Sequence, residues 1–303
     1  MAFFEKKLNF GERLCLRDVK MEFPNDNIQQ LFKAAENYER GSDVYNAVKL
    51  FKKIIRLQPD WAPPYARLAG LYKSRQDWKA TLHYSKKAVA LDSLDQDSWW
   101  TLGIAATALK KWRIGRSVWT KFGWTAKPKT LGCLRLQYDN RFEIVWMQML
   151  DPARGMILNI PHPASDRRYR DVVLFDRRNV VGHNIYNKRK VPVYDELGEF
   201  KRSLFQVFSC VLHDPAPDDV KALEIICNNN GLGFEIWSNA TSELLPANRK
   251  DPPEFYGPQW LEQSYKGGAL AAIAAQHEAE VLHALNSWQI ITLKNYSGLE
   301  RHQ

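Results

Sequence analysis

The sequence predicts an all-helical repeat domain followed by an α+β domain. Three observations carry this. Residues 28–127 are self-similar at a spacing of 34. Apolar residues there recur at i, i+3, i+4 and i+7, one face of a helix. Beyond Pro128 the apolar period shortens to two, the period of a strand. The chain divides accordingly into 1–27, which shows no readable element, 28–127 and 128–303.

The repeat is seen by aligning Ile28, Ala62 and Gln96. The first helix of each copy then carries its core-type residues at Leu31, Ala34, Ala35 and Tyr38, at Tyr65, Leu68, Ala69 and Tyr72, and at Trp99, Leu102, Gly103 and Ala106. The small member of each set (Ala35, Ala69, Gly103) lets two helices approach closely. The second helices repeat through Ala47, Phe51 and Ile54, then Thr81, Ser85 and Ala88, then Gly115, Trp119 and Phe122. Pro59 separates the first hairpin from the second, since proline cannot continue a helix.

This pattern resembles the tetratricopeptide repeat (TPR) family, whose period it matches. It departs at Ser93, Thr81, Gly115 and Ala106, where the family favours proline, alanine, alanine and tyrosine. The resemblance covers about a third of the chain and implies three helical hairpins stacked into a short superhelix, with the first helices lining a groove that receives a protein or peptide. Within that groove, Phe32, Glu36, Arg67, Lys73, Trp100 and Thr107 are the candidate contacts. Trp100 follows the core-type Trp99, and a helix turns about 100° per residue, so the two rings cannot share one core. Trp100 is left either to the groove or to the following domain. The positions that match the family's carboxylate clamp are Phe32, Glu36, Arg67, Asp97 and Thr101, and only Arg67 suits a carboxylate.

After the array, Leu134–Tyr138 and Phe142–Met149 read as strands joined at Asp139-Asn140-Arg141. Asp151–Gly155 reads as a turn before Met156–Ile160. Val172–Phe175, Val180–Tyr186 and Lys190–Tyr194 are further strands, with Asn187-Lys188-Arg189 closing a hairpin. Leu204–Leu212 reads as a buried strand. Pro217-Asp218-Asp219 opens a helix with acids in its first turn, Gly231 ends it, and Phe234–Trp237 is extended again. The unit implies parallel strands if both lie in one sheet. Residues 241–259 read as a loop, Ala269–Leu285 as a helix, and Trp288–Leu293 as a last strand.

The chain carries a formal charge of +9. Residues 28–127 hold eighteen Lys and Arg against eight Asp and Glu, while 1–27 are balanced and 128–303 come to −1. A basic field confined to the repeats points to an acidic partner. Charge reversal at Arg67 and Lys73 is then expected to weaken binding more than reversal at Lys52 and Lys86. No apolar run approaches 18 residues, and Met1–Phe10 has no signal-peptide core, so the expectation is a cytoplasmic chain without a membrane span. Cys15, Cys133, Cys210 and Cys227 form no CxxC pair, which points to inert thiols.

The signs of chemistry are sparse. Pro161-His162-Pro163 precedes Arg167, Arg168 and Arg170 and reads as a basic turn. His183 and His213 lie in or beside strands, where a nearby carboxylate would make an acid–base pair. His277-Glu278 lacks a second histidine four residues along, so no metal is expected. Asn228–Gly233 follows a helix instead of preceding one and reads as a cap rather than a phosphate loop. No cofactor and no catalytic residue is assigned. The reading is an adaptor. An enzyme built on His162, His183 or His213, with repeat-mediated substrate selection, is one alternative, and RNA binding through the basic array is the other.

Overall fold

In a computed structural model of the chain, residues 26–124, 130–138, 141–186, 189–237, 254–256 and 268–302 are described. Apolar stripes at helical spacing become six helices: α1 (Asp26–Arg40), α2 (Val44–Leu57), α3 (Ala62–Ser74), α4 (Trp78–Leu91), α5 (Gln96–Ala108) and α6 (Trp112–Lys121). By packing, the chain divides into two compact units, 1–65 and 66–303. The packing boundary thus falls inside α3, while the apolar period changes near residue 128.

In the first unit α1 and α2 form a hairpin over Ala35, Ala47, Phe51 and Ile54, all fully buried. The Asp43 carboxylate caps α2 by accepting the Asn46 N–H. Tyr38 is exposed, although its spacing is that of the core.

The second unit begins with the rest of α3. Leu68 and Ala69 are buried, as the repeat expects. Thr81 and Ser85, at interior positions of α4, are satisfied by donating to the carbonyls four residues back. Gly103 has a steric reason: a Cβ there would meet the Trp119 ring at 2.6 Å and Val118 at 2.8 Å. Trp100 rather than Trp99 is the more buried of the adjacent pair.

Five strands follow: β1 (Leu131–Tyr138), β2 (Arg141–Asp151), β3 (Arg154–Ile157), β4 (Val172–Tyr186) and β5 (Arg189–Lys201). Their pairings return on themselves, β1 to β2 to β3 to β4 to β5 and back to β1. The result is a closed barrel. With five strands running alternately up and down, the first and last point the same way, so the closing pair is parallel and the others antiparallel. Inward side chains alternate along each strand and form one core: Leu134, Leu136, Val145, Met147, Met149, Ile157, Val173, Phe175 and Tyr194. Arg135 reaches across the parallel seam to Asp195, 2.7 Å from Nε to Oδ1.

The two predicted strands of 172–186 are one strand with a break in its register. Phe175 faces Glu196 and Val180 faces Tyr194, so four residues of β4 stand opposite one of β5. This wide bulge carries Asp176, Arg177 and Arg178. A short strand, β8 (Glu254–Tyr256), lies parallel to the far end of β4.

The remaining elements are β6 (Gln206–Leu212), α7 (Pro217–Asn229), β7 (Gly233–Ile236), β9 (Ala269–Ala275), α8 (Glu278–Thr292) and β10 (Tyr296–His302). They form a second sheet in the order β10-β6-β9-β7. The expected strand–helix–strand unit is present, with β6 and β7 in one sheet and parallel, but β9 lies between them, antiparallel to both. This is the split β-α-β arrangement of ferredoxin-like folds. Helices α7 and α8 cover one face over Leu223, Cys227, Ile273, Leu285 and Trp288. Ile160, Tyr169, Phe205 and Trp237 cover the other over Val207, Ala272 and Ala274.

Two sequence expectations fail here. Ala269–Ala275 is a strand and not the start of a helix. Trp288–Leu293 belongs to the end of α8 and its cap, and the last strand is β10. Alanine favours helix, but β9 is a central strand covered on both faces, where small side chains let the layers close. A Cβ on Gly233 would already meet Ala274 and Tyr169 at 3.1 Å. The connections read at Asp139–Asn140 and Asn187–Lys188, and the loop of 241–259 apart from β8, lie outside the described residues.

Candidate partner-binding surface

The turn between the two helices of each hairpin places a non-glycine residue in the left-handed region. These residues are Ser42 (φ 62°), Gln76 (φ 58°) and Lys110 (φ 56°), each 34 positions from the next. The second helices start two residues later, at Val44, Trp78 and Trp112. The same turn is made three times at the 34-residue period of the sequence repeat.

The three hairpins of residues 26–121 resemble tetratricopeptide repeats.

No family model matches the chain, and no curated protein does. Solved structures similar to the repeat segment include yeast Tom70, at 20% identity over 32% of this chain with a TM-score of 0.30; the chain spans 20% of that one. The second TPR of Spaghetti (RPAP3), bound to the HSP90 peptide SRMEEVD, is 16% identical over 31% of this chain and 88% of its own, with a TM-score of 0.30. The Sgt2 TPR domain from Aspergillus fumigatus is 14% identical over 32% of this chain and 65% of its own, also at 0.30.

The expected groove residues have diverse environments. In the first unit, Phe32 packs on Phe51 and Trp61, with centroids at 5.4 and 4.8 Å, and Glu36 pairs with Arg40 one turn along α1. In the second unit, Arg67 is exposed on α3. Thr107 is buried, donating to the Gly103 carbonyl and accepting from Trp119 Nε1, so its hydroxyl serves the helix core.

Lys73 and Trp100 meet the chain itself. The bulge of β4 delivers Asp176, 5% exposed, to both. Lys73 Nζ pairs with Oδ2, and Trp100 Nε1 donates to Oδ1 at 2.8 Å. The backbone N–H of Arg178 donates to Oδ1 at 3.0 Å, which ties the carboxylate to its own loop. Arg178 lies over the Trp100 ring at 4.3 Å and over Phe122 at 4.9 Å, and its guanidinium donates to Asp97 at 2.9 Å. Arg177 covers Trp124 in the same way. Farther along, Arg154 lies over both Trp112 and Phe200, and Ala153 and Leu197 join the cluster of Trp100, Val118 and Trp119. The second and third hairpins therefore give the Lys73–Trp100 part of their first-helix face to the barrel. Sequence reasoning did not find Asp176 or Arg178. Their signal was the polar Asp-Arg-Arg-Asn interruption between two strand-like runs.

A second polar cluster lies where the barrel meets the four-stranded sheet. Glu143, buried on β2, accepts the backbone N–H of His162 at 3.0 and 3.2 Å. Glu235 on β7 accepts from Asn159 Nδ2 and from the Ile160 N–H. Burial raises the Glu143 carboxyl from its ordinary 4.5 to about 8, against the backbone donor that favours the anion and with Glu235 adding like charge. Burial raises Glu235 as well, opposed by its two donors. Both carboxyls cap the 159–162 segment, so their bonds describe a junction. The His162 ring is exposed, with Nδ1 accepting from Ala164 N–H. His213 Nε2 shares a hydrogen bond with Ser297, and His183 projects from β4 in an exposed position. Among the described residues no group of three or more His, Cys, Asp and Glu could hold a metal. Burial pushes the thiols of Cys133, Cys210 and Cys227 up to about 12, far from a nucleophilic thiolate. No helix among the described residues is long and apolar enough to cross a membrane.

Proposed function

We propose that the chain is a protein-interaction adaptor whose repeat array receives an acidic protein partner, with the barrel and the split sheet serving as its scaffold. The observation that carries this is the placement of charge. The repeat array bears the whole basic excess, and residues 128–303 come to −1. Such a segregated field speeds the encounter with an acidic surface and selects against basic ones. The TPR structures resembling this segment include one bound to a Met-Glu-Glu-Val-Asp-ended peptide. That use of the fold is in keeping with the reading, although Arg67 alone matches the clamp type here.

The test is capture by the full chain from a lysate of its source, followed by crosslinking and mapping of the linked residues. Crosslinks between lysines of residues 28–127 and Asp/Glu-rich segments of a protein are expected, and they should fade as salt is raised. Links confined to residues 128–303, or capture that is insensitive to salt, would defeat the reading.

A further inference from the structure

The array's charge is divided between its helices in a way the groove does not explain. The second helices α2, α4 and α6 carry ten Lys and Arg and no Asp or Glu. The first helices and connections of residues 28–127 hold eight of each. The entire excess therefore sits on the second helices.

In the second compact unit, Lys79, Lys86 and Lys87 on α4 and Arg113, Arg116 and Lys121 on α6 are all exposed. The repeat brings Lys79 into register with Arg113, and Lys87 with Lys121. Lys121 lies over the Trp99 ring at 5.0 Å. The other five form no ion pair among the described residues. A cation without a neighbouring anion keeps its field for a ligand, whereas one like Lys73 has its field cancelled by Asp176.

Resting on the adaptor reading, we infer that the acidic partner docks on the exposed faces of α4 and α6, and that the docking element is an extended Asp/Glu-rich protein segment. A protein segment is favoured over a nucleic acid because most rings of the two helices are committed to contacts within the chain and leave little area for base stacking. His83 and Trp112 are exposed, but each packs edge-on against a neighbouring ring, and the other rings are more deeply engaged. Tyr84 stacks on Tyr72, Trp112 packs on Phe200 beneath Arg154, Trp119 is buried, and Trp78 packs on the Trp100 cluster. The inference reverses the order of importance expected from a groove, in which Lys73 outranked Lys86.

The test uses the full chain and two probes, a labelled Glu-rich peptide and a short DNA duplex, titrated from low to physiological salt. The variant replaces Lys79, Lys86, Arg113 and Arg116 with Glu, a second replaces them with Gln, and Arg67→Glu is the first-helix comparison. The wild type should bind the peptide and release it as salt rises. The four-Glu variant should lose about tenfold or more in affinity, the Gln variant should lose less, and Arg67→Glu should change affinity by less than about twofold. The Gln variant decides the matter if four glutamates alter the melting curve. Peptide binding that survives both variants would overturn the docking face and leave the acidic-partner reading standing. A wild type that ignores the peptide at low salt would overturn both. Tighter binding of the duplex than of the peptide, lost in the same variants, would overturn the choice of a protein segment in favour of a nucleic acid.

Discussion

Lys73 on α3 and Lys79 on α4 lie six residues apart in one hairpin and have opposite surroundings. Lys73 is held by the buried Asp176, beside a Trp100 ring that is itself hydrogen-bonded to the same carboxylate. Lys79 is exposed and meets no acidic residue on its own helix. The same contrast separates α5 from α6, where Asp97 is matched by Arg178 while Arg113 and Arg116 form no ion pair among the described residues. A charge becomes part of the fold when an in-chain group desolvates and pairs with it. It becomes part of a long-range field when only water faces it.

This contrast can be broken at its strong end. Trp100→Ala should cost about 3–5 kcal/mol of stability in urea unfolding, because the ring packs on Trp119, Phe122 and Arg178. A loss below about 1 kcal/mol would mean that the barrel does not depend on this face. Asp176→Ala should cost about 3 kcal/mol, since it leaves Lys73 and the Trp100 N–H without their acceptor. Lys73→Met in the same background should restore part of that loss, and a double variant no better than Asp176→Ala would argue against a strained lone cation.

The next effect concerns the junction. Folded Glu143 keeps its proton up to about pH 8, while the unfolded chain releases it near the ordinary value of 4.5. Between those values the unfolded state binds fewer protons, so stability should fall as pH rises, by roughly 1–3 kcal/mol across the window. The raised Glu235 acts in the same direction. Glu143→Gln should flatten the fall in melting temperature between pH 5 and 8, roughly the window the shift defines. An unchanged slope would assign the effect elsewhere. The smallest effect belongs to the second helices. Lys86→Ala and Arg116→Ala should each alter stability by no more than about 0.5 kcal/mol, because neither has an ion pair among the described residues. Larger losses would show that the stripe is structural.

The repeat hairpins were legible because their signal is redundant. Period, small residues at helix contacts and turn position agree in three copies, so a deviant such as Ala106 does not disturb the register. Among the candidate groove residues, sequence placed Lys73 and Trp100 on first helices but gave no sign of the carboxylate that meets them. Asp176 is 103 residues from Lys73, and nothing local announces that pairing. In the last third, α7 was legible from its proline and first-turn acids. The run Ala269–Ala275 was not, because local propensity argued for helix while the sheet's two covered faces decided for strand. Its length of seven and its unbroken apolar character were the marks of a buried strand.

The placement of β9 also bears on the order in which the chain can be assembled. Strands β6 and β7 share a sheet but touch only through β9, which is made after both as the chain is synthesised. Until residue 275 has emerged, β6 and β7 present open edges and an uncovered apolar face. The hairpin of α1 and α2, whose contacts are local, has no such wait. A ribosome-bound chain halted before β9 should therefore be the form that most needs chaperone protection, with its repeats already folded and its last sheet still unable to close.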